Sequence, residues 1–401
     1  MTSRRAVIAA GAGAMLLAGL SYRAWDRGVF SSGEGPAYEP WRDWRGHAGE
    51  GARRPLHAAI LAANAHDTQP WLFAPSEDSV TVFADRARNL GSFDPFRREM
   101  HLSLGCALTN LQLAAVRQGD VADIRYLDGR LDLASSDDPV EAARVTVRPY
   151  PNIDTPMDEF YRLAEAIPNR HTHRGPYRAD QRIAHDVLQS LAGFVDGRDV
   201  RVAFIAEAGT RRDLGDIIVD ATRRIISDKQ MAMDSARWFR TGRREILVHR
   251  DGVTTDTAGL KPLMVAASKL LPDLDSDRAD QYWLEATRGT QVPSAAVFGL
   301  ILVRDRFDMA QALAAGQAWQ RLHLAATVHG LAAQPMNQPV EMADRDLMLG
   351  RGDEFKRALG RLARMPDAEA TFVFRLGYAD AAAPASPRRP LRDVIRENGF
   401  A

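Results

Sequence analysis

One bend governs how this chain can be threaded, the run Ala62-Ala63-Asn64-Ala65-His66-Asp67-Thr68-Gln69-Pro70-Trp71-Leu72-Phe73. It stops a predicted helix over 55–63 and precedes a predicted strand over 79–84. Asn, Asp and Thr have short polar side chains that bond to nearby backbone or to a ligand edge. Pro fixes the chain and Trp anchors the turn. A helix stop over a buried Trp accounts for the pattern; so does a turn that holds the polar rim of a flat aromatic ring.

A second run, Pro168-Asn169-Arg170-His171-Thr172-His173-Arg174-Gly175-Pro176-Tyr177, sets two arginines and a threonine before a predicted helix over 181–191. Sheltered from solvent, each guanidinium contact to a phosphate contributes about 1.5–3 kcal/mol. A third run closes the chain: Gly377-Tyr378, a Pro/Ala connector, then Ser386-Pro387-Arg388-Arg389-Pro390-Leu391. Basic residues behind a flexible connector can swing onto an anionic group. Each run taken singly reads as a solvated loop.

Periodicity gives an α+β chain in two lobes. The first carries a helix over 55–63, a strand over 79–84, a helix over 97–118 and strands over 122–127 and 143–148. The second carries a helix over 181–191, a strand over 200–205, a long helical stretch from about Thr210, a strand over 295–303, a helix over 309–328 and a strand over 371–376. Prolines in Pro149-Tyr150-Pro151-Asn152 mark the boundary. The expected organisation is therefore 1–24 as a signal or anchor, 25–54 as a linker, 55–150 as the first lobe and 151–401 as the second. Residues 229–293, with Trp238, Phe239, Tyr282 and Trp283 among many charges, are an insertion, either a helical surface addition or a cap.

Lys+Arg 52 against Asp+Glu 52 leaves no net charge, which points away from nucleic acid as a partner. The single Cys106 lies in a helical pattern, so no disulfide framework exists and a buried inert thiol is expected. Ser3-Arg4-Arg5 before the apolar run Ala6 to Leu20 resembles a twin-arginine export signal. That run reaches about 22 Å as a helix, short of the ~30 Å hydrocarbon core. Tyr22-Arg23-Ala24 is a poor cleavage site and leaves an uncleaved membrane anchor open. The expected location is periplasmic, reached through the twin-arginine export machinery.

Other motifs carry less. His171-x-His173 has metal-ligand spacing but no preceding apolar strand and no carboxylate partner, so no metal site is assigned. Gly11-Ala12-Gly13 lacks the third glycine and the βαβ setting of a dinucleotide loop. Neither a Gly-x-Ser-x-Gly elbow nor a Gly-Lys-Ser/Thr phosphate loop occurs.

Taken together, the three runs resemble the FMN-binding elements of the nitroreductase fold, and more narrowly its Acg-like two-lobed branch. Arg170, Thr172 and Arg174 match the family's Arg-x-Ser/Thr-x-Arg element, and Asp67-Thr68-Gln69-Pro70-Trp71 its Asn-x-Gln-Pro-Trp turn. Gly377-Tyr378 and Arg388 to Leu391 match its strand end and basic tail, and Gln334-Pro335-Met336 also fits. The resemblance spans about 50–395. It implies a nitroreductase-like α+β fold whose two fused lobes form an intramolecular pseudo-dimer. It also implies one FMN per chain, a small-molecule electron acceptor and NAD(P)H as donor. No protein side chain is then catalytic, because flavin N5 carries the chemistry. Arg170, Arg388 and Arg389 would neutralise the phosphate, and Arg174 would face the pyrimidine edge of the ring. His66, Asp67, Thr68 and Gln69 would line the ring's polar edge, Thr172 would join the arginine element, and Pro335 and Met336 would pack near N5.

The turn occurs only in the first lobe and the arginine element only in the second, so each lobe would supply half of one site. Asp67 stands where the family usually has Asn, and an ionised carboxylate accepts but does not donate. That departure, with an exported location poor in nicotinamide cofactors, supports an alternative reading: a low-turnover FMN-binding protein for sequestration or redox sensing.

Overall fold

The computed structural model describes residues 18–19, 21–46, 51–133, 136–150, 158–195 and 199–396. The arginine pair of the signal and its apolar run up to residue 17 lie outside the described residues.

Two four-stranded antiparallel sheets organise the chain. The first contains β1 (Trp71–Pro75), β2 (Ser79–Ala84), β3 (Asp120–Tyr126) and β4 (Val140–Pro149) in the order β1-β2-β4-β3. After β5 (Val200–Ile205) and a short parallel pair, β6 (Phe239–Arg240) and β7 (Val253–Thr254), come β8 (Val297–Val303), β9 (Ala332–Pro335) and β10 (Glu369–Gly377). The second sheet has the order β5-β8-β10-β9. Strand for strand, the two orders are the same. Each sheet also sends out a 20-residue helix between its second and third strands, Arg98–Arg117 in one and Met309–Val328 in the other.

Sequence periodicity explains the layers. In β8, Val297, Ile301 and Val303 join one buried cluster while Phe298, Leu300 and Leu302 join another, the period-two alternation of a strand covered on both faces. Gly299 is required there, since a Cβ would lie 2.0 Å from the Phe374 ring.

The two long helices pack against each other across the lobes, and glycines set their separation. A Cβ on Gly105 would lie 2.0 Å from the Leu313 carbonyl oxygen, and one on Gly316 would lie 2.0 Å from that of Leu102. Cys106 sits in this seam, 2% exposed, with burial pushing its thiol up to about 12. It is inert, as expected.

Three stretches depart from the sequence reading. The 25–54 linker is not a free connector, because Ala37, Tyr38, Trp41 and Trp44 are buried in the main core. Aromatic residues at three-residue intervals form one apolar edge, a pattern that charge and glycine content obscured. The insertion is more than a surface addition: Met231 and Trp238 pack with Leu90 and Phe93 of the first lobe. Finally, Trp71 begins strand β1, and its neighbour Phe73 pairs with the chain terminus. The Phe73 N–H donates to Val394 O at 2.8 Å and the Arg396 N–H donates to Phe73 O at 2.7 Å. The tail of the second lobe thus borders the first lobe's sheet.

Candidate functional site

The helix before the first turn is short, Leu56–Ala59, and the chain then bends sharply. His66, Asp67 and Gln69 all have left-handed φ values, 50°, 54° and 49°. Such backbone costs roughly 1–2 kcal/mol per non-glycine residue and persists only where its surroundings hold it. Here the surroundings are dense. The Gln69 N–H donates to Asn64 Oδ1 (2.8 Å), the Thr68 hydroxyl to Ala65 O (2.9 Å) and the Gly252 N–H to Asp67 O (3.1 Å). From the second lobe's long helix, Gln320 Oε1 accepts from the Ala63 N–H at 3.1 Å, and its amide donates to Asn110 Oδ1 at 2.7 Å.

Facing this turn is the arginine loop that follows the one-turn helix Ile167–Asn169. Arg170 is 2% exposed; its Nη2 donates to Leu61 O at 3.2 Å. Arg174 donates through Nη1 to Thr257 O at 3.1 Å. Gly259 packs so closely on the Arg174 backbone that a Cβ would meet its carbonyl carbon at 2.4 Å. From the tail, Arg388 Nη1 pairs with Asp67 Oδ1 at 2.5 Å and donates to Ser386 Oγ at 2.6 Å. Its guanidinium also lies 4.8 Å from the Trp41 ring centre. Three pieces far apart in sequence therefore converge on one cleft, lined by Asp67, Arg170, Thr172, Arg174 and Arg388.

Electrostatically the cleft is unbalanced: three guanidinium groups meet one carboxylate. Burial, then repulsion from Arg388, lowers Arg170 to about 9, so it stays charged at neutral pH. Burial raises Asp67 to about 6, partly opposed by Arg388. Burial with nearby Arg170 lowers His171 to about 3, leaving a neutral ring edge-on to Trp41 at 4.6 Å. Arg170 Nε, Arg388 Nε and Asp67 Oδ2 are buried without a hydrogen-bond partner among the described residues. Buried donors with no acceptor and surplus positive charge are what a bound phosphate would satisfy.

Size sets a second condition. The cavity volume is about 40 Å³, room for only a few waters at about 10–15 Å³ each. A flavin ring enters only if walls move. Those walls are Pro384, Ser386 and Arg388 of the tail, and Gly252, Val253 and Thr257 of the insertion. The donor set fits FMN; the narrow cleft requires widening.

Of the remaining expected site residues, six do not line this cleft. Gln69 spends its amide on the backbone, accepting from the Arg389 N–H (2.8 Å) and donating to Arg250 O (2.8 Å). It fastens the tail and insertion to the turn. Thr68 bonds within the turn, and His66 bonds Ser235 Oγ at 3.0 Å beside Phe93. Arg389 turns away, donating to Asp393 O at 2.8 Å. Pro335 pairs with Phe374 in the sheet, and Met336 is fully buried in the second core cluster. Their apolar character serves packing. Thr257, Gly252 and Ser386 were missed, and only the density of Gly and Thr at 252–259 hinted at a close-packed wall.

Arg375, also missed, holds the arginine loop in place. It donates to Gly175 O and Gln291 O at 2.7 Å each and to Gln334 Oε1 at 2.7 Å, and lies 3.9 Å from the Tyr177 ring centre. Gly377 lets Tyr177 approach, since a Cβ there would sit 2.5 Å from its ring. Among the described residues no cluster of His, Cys, Asp or Glu could hold a metal ion, and the pair His171 and His173 is no exception.

No family model matches the chain. It is 27% identical over 353 residues to a Mycobacterium tuberculosis (strain H37Rv) protein named as a candidate NAD(P)H nitroreductase, covering 86% of this chain and 91% of the relative. It is 25% identical over 358 residues to the protein named acg of the same strain, also named as a candidate NAD(P)H nitroreductase, covering 85% and 93%. Among solved structures, the FMN-dependent nitroreductase NfnB of Mycobacterium smegmatis, in complex with NADPH, aligns over 58% of this chain and 97% of its own, at 17% identity and a TM-score of 0.36.

Proposed function

We propose that this chain is an FMN-dependent oxidoreductase of nitroreductase type, passing electrons from NAD(P)H to a small acceptor. The observation that carries it is the meeting of Arg170, Arg174 and Arg388 around one carboxylate in a cleft between two lobes. Similarity to two candidate NAD(P)H nitroreductases along most of the chain supports the same reading.

FMN, when bound, supplies hydride chemistry at ring N5. The protein positions and neutralises. Arg170 and Arg388, both buried, would hold the phosphate, with their unpartnered Nε atoms as free donors. Arg174, held by Thr257, would stabilise negative charge at the ring's pyrimidine edge. Asp67 pairs with Arg388 and would compete with a phosphate for it. The matched strand orders support a pseudo-dimer, and the confinement of the turn to the first lobe and of the arginine element to the second supports one FMN per chain.

A second reading, FMN storage or redox sensing with little turnover, is favoured by the narrowness of the cleft, about 40 Å³. Titrating the purified full chain with FMN gives flavin absorbance and stoichiometry; anaerobic NADPH then separates the readings. Bleaching, and reoxidation by a nitroaromatic, supports the enzyme. A bound flavin that NADPH does not bleach supports storage. Material that stays colourless refutes both.

Export by the twin-arginine route to the periplasm, with membrane attachment through residues 6–20, is also part of this proposal. It rests on Ser3-Arg4-Arg5 and the mild apolar run. Arg4→Lys with Arg5→Lys is expected to trap the chain in the cytoplasm; unchanged fractionation overturns the route.

A further inference from the structure

Two segments outside the cleft lining carry strongly exposed large apolar side chains. Tyr22, Trp25 and Phe30 are 67%, 65% and 84% exposed, and Leu263, Leu271 and Leu274 are 87%, 61% and 57% exposed. The two segments are joined. Arg23 donates to Leu270 O and Leu271 O at 2.7 and 2.6 Å, Arg27 pairs with Asp273 at 2.6 Å, and Lys269 donates to Gly28 O at 3.0 Å. In the helical stretch 21–26, Arg23 and Ala24 turn inward while Tyr22, Trp25 and Asp26 turn outward. Helix Pro262–Leu270 likewise buries Lys269 on Asp256 and leaves Leu263 and Met264 in solvent.

We propose that this joined face, Tyr22, Trp25 and Phe30 with Leu263, Leu271 and Leu274, seats on a lipid bilayer surface. The occupant follows from what adjoins it: the apolar run Ala6 to Leu20 ends two residues before Tyr22. A face continuous with such a segment stands at the membrane if the segment does. Aromatic and leucine side chains are the groups that partition into the interfacial layer. No helix among the described residues is long and apolar enough to cross a membrane, so the contact is interfacial. An adjacent open depression of about 530 Å³ sets Arg23, Arg27, Arg244 and His249 against Asp26 and Glu245. On phosphatidylcholine, which carries no net charge, the contact rests on apolar burial and varies little with salt.

The test uses the full chain carrying Leu263→Cys or Leu274→Cys, labelled with a polarity-sensitive fluorophore. Native Cys106 is buried and does not compete. With phosphatidylcholine vesicles both positions are expected to shift to the blue, in low and high salt alike. Leu347→Cys, half exposed on helix Gln338–Met348, should not shift. Leu263→Glu with Leu274→Glu is expected to weaken vesicle binding roughly tenfold or more, since one buried leucine is worth about that much. Vesicle binding with no shift at either position means attachment by residues 6–20 alone and overturns the proposal. A shift without vesicles, with sedimentation as a dimer, assigns the face to a second copy and also overturns it, as does absence of vesicle binding.

Discussion

Asp67→Asn should tighten anion binding and remove the part of its pH dependence that Asp67 causes. In the closed cleft Asp67 holds Arg388 at 2.5 Å, a charge-assisted hydrogen bond worth about 1.5–3 kcal/mol that an incoming phosphate must displace. The amide oxygen of the variant still accepts from Arg388 but carries no charge, so most of that competition disappears. The FMN dissociation constant should fall about ten- to a hundredfold. Because burial raises Asp67 to about 6, the wild type loses its own competitor as pH falls through that value. The ratio of wild-type to variant dissociation constants should be largest above pH ~7 and approach one near pH ~5. Ligand ionisation, near pH ~6 for a phosphate monoester, acts on both proteins and cancels in the ratio. Stability carries the same sign. A buried carboxyl whose folded value lies above its ordinary 3.8 makes the native state hold its proton longer. Asp67 therefore opposes folding as pH rises from about 4 to about 6, by about 3 kcal/mol, and the Asp67→Asn substitution abolishes that component. Fluorescence titration of FMN across pH, with thermal unfolding in parallel, measures both. A ratio near one at every pH, or one that grows in acid, would refute the competition argument.

Gly316→Ala places a Cβ 2.0 Å from the Leu102 carbonyl oxygen, which forces the two long helices apart. A loss of roughly 2 kcal/mol or more in urea unfolding is expected; a neutral outcome would mean the seam is not rigid. Arg375→Met strips partners from the Gly175 and Gln291 carbonyls. It should cost about 3 kcal/mol, with Arg375→Lys recovering part. Equal stability of the three proteins would show that the arginine loop is held some other way.

Legibility in the sequence followed the strength of local pattern. Strands β2 and β5 and helix Met309–Val328 lie where periodicity puts them, because each has a clear two- or 3.6-residue repeat and clear ends. Strand β9, Ala332–Pro335, carries no alternation and could not be anticipated; it exists because β10 offers an edge. The cleft was half legible. Arg170, Arg174, Arg388 and Asp67 could be named because charge in a turn is conspicuous. The roles of Gln69 and Arg389 could not, because which of two adjacent arginines faces inward depends on the tail's path along β1. Nor does composition reveal that three residues of the turn are left-handed. That strain arises from contacts with the insertion and the other lobe, hundreds of residues away for Gln320.

Sheet topology and site chemistry obey different symmetries in this chain. The two sheets repeat one strand order, and their helices meet through matching glycines, Gly105 and Gly316. A true two-fold dimer of such units would present two equal clefts. Here the strained turn belongs to the first lobe alone, and the guanidinium groups belong to the second lobe and its tail. The tail's pairing with Phe73 makes that division structural, because Arg388 reaches Asp67 only when the terminus lies along the first lobe's edge. Fusion thus concentrates in one cleft the charge that a symmetric pair would divide between two. Arg170, Arg174 and Arg388 share one carboxylate, Asp67, in a single cleft, an asymmetry in keeping with the proposed single FMN per chain.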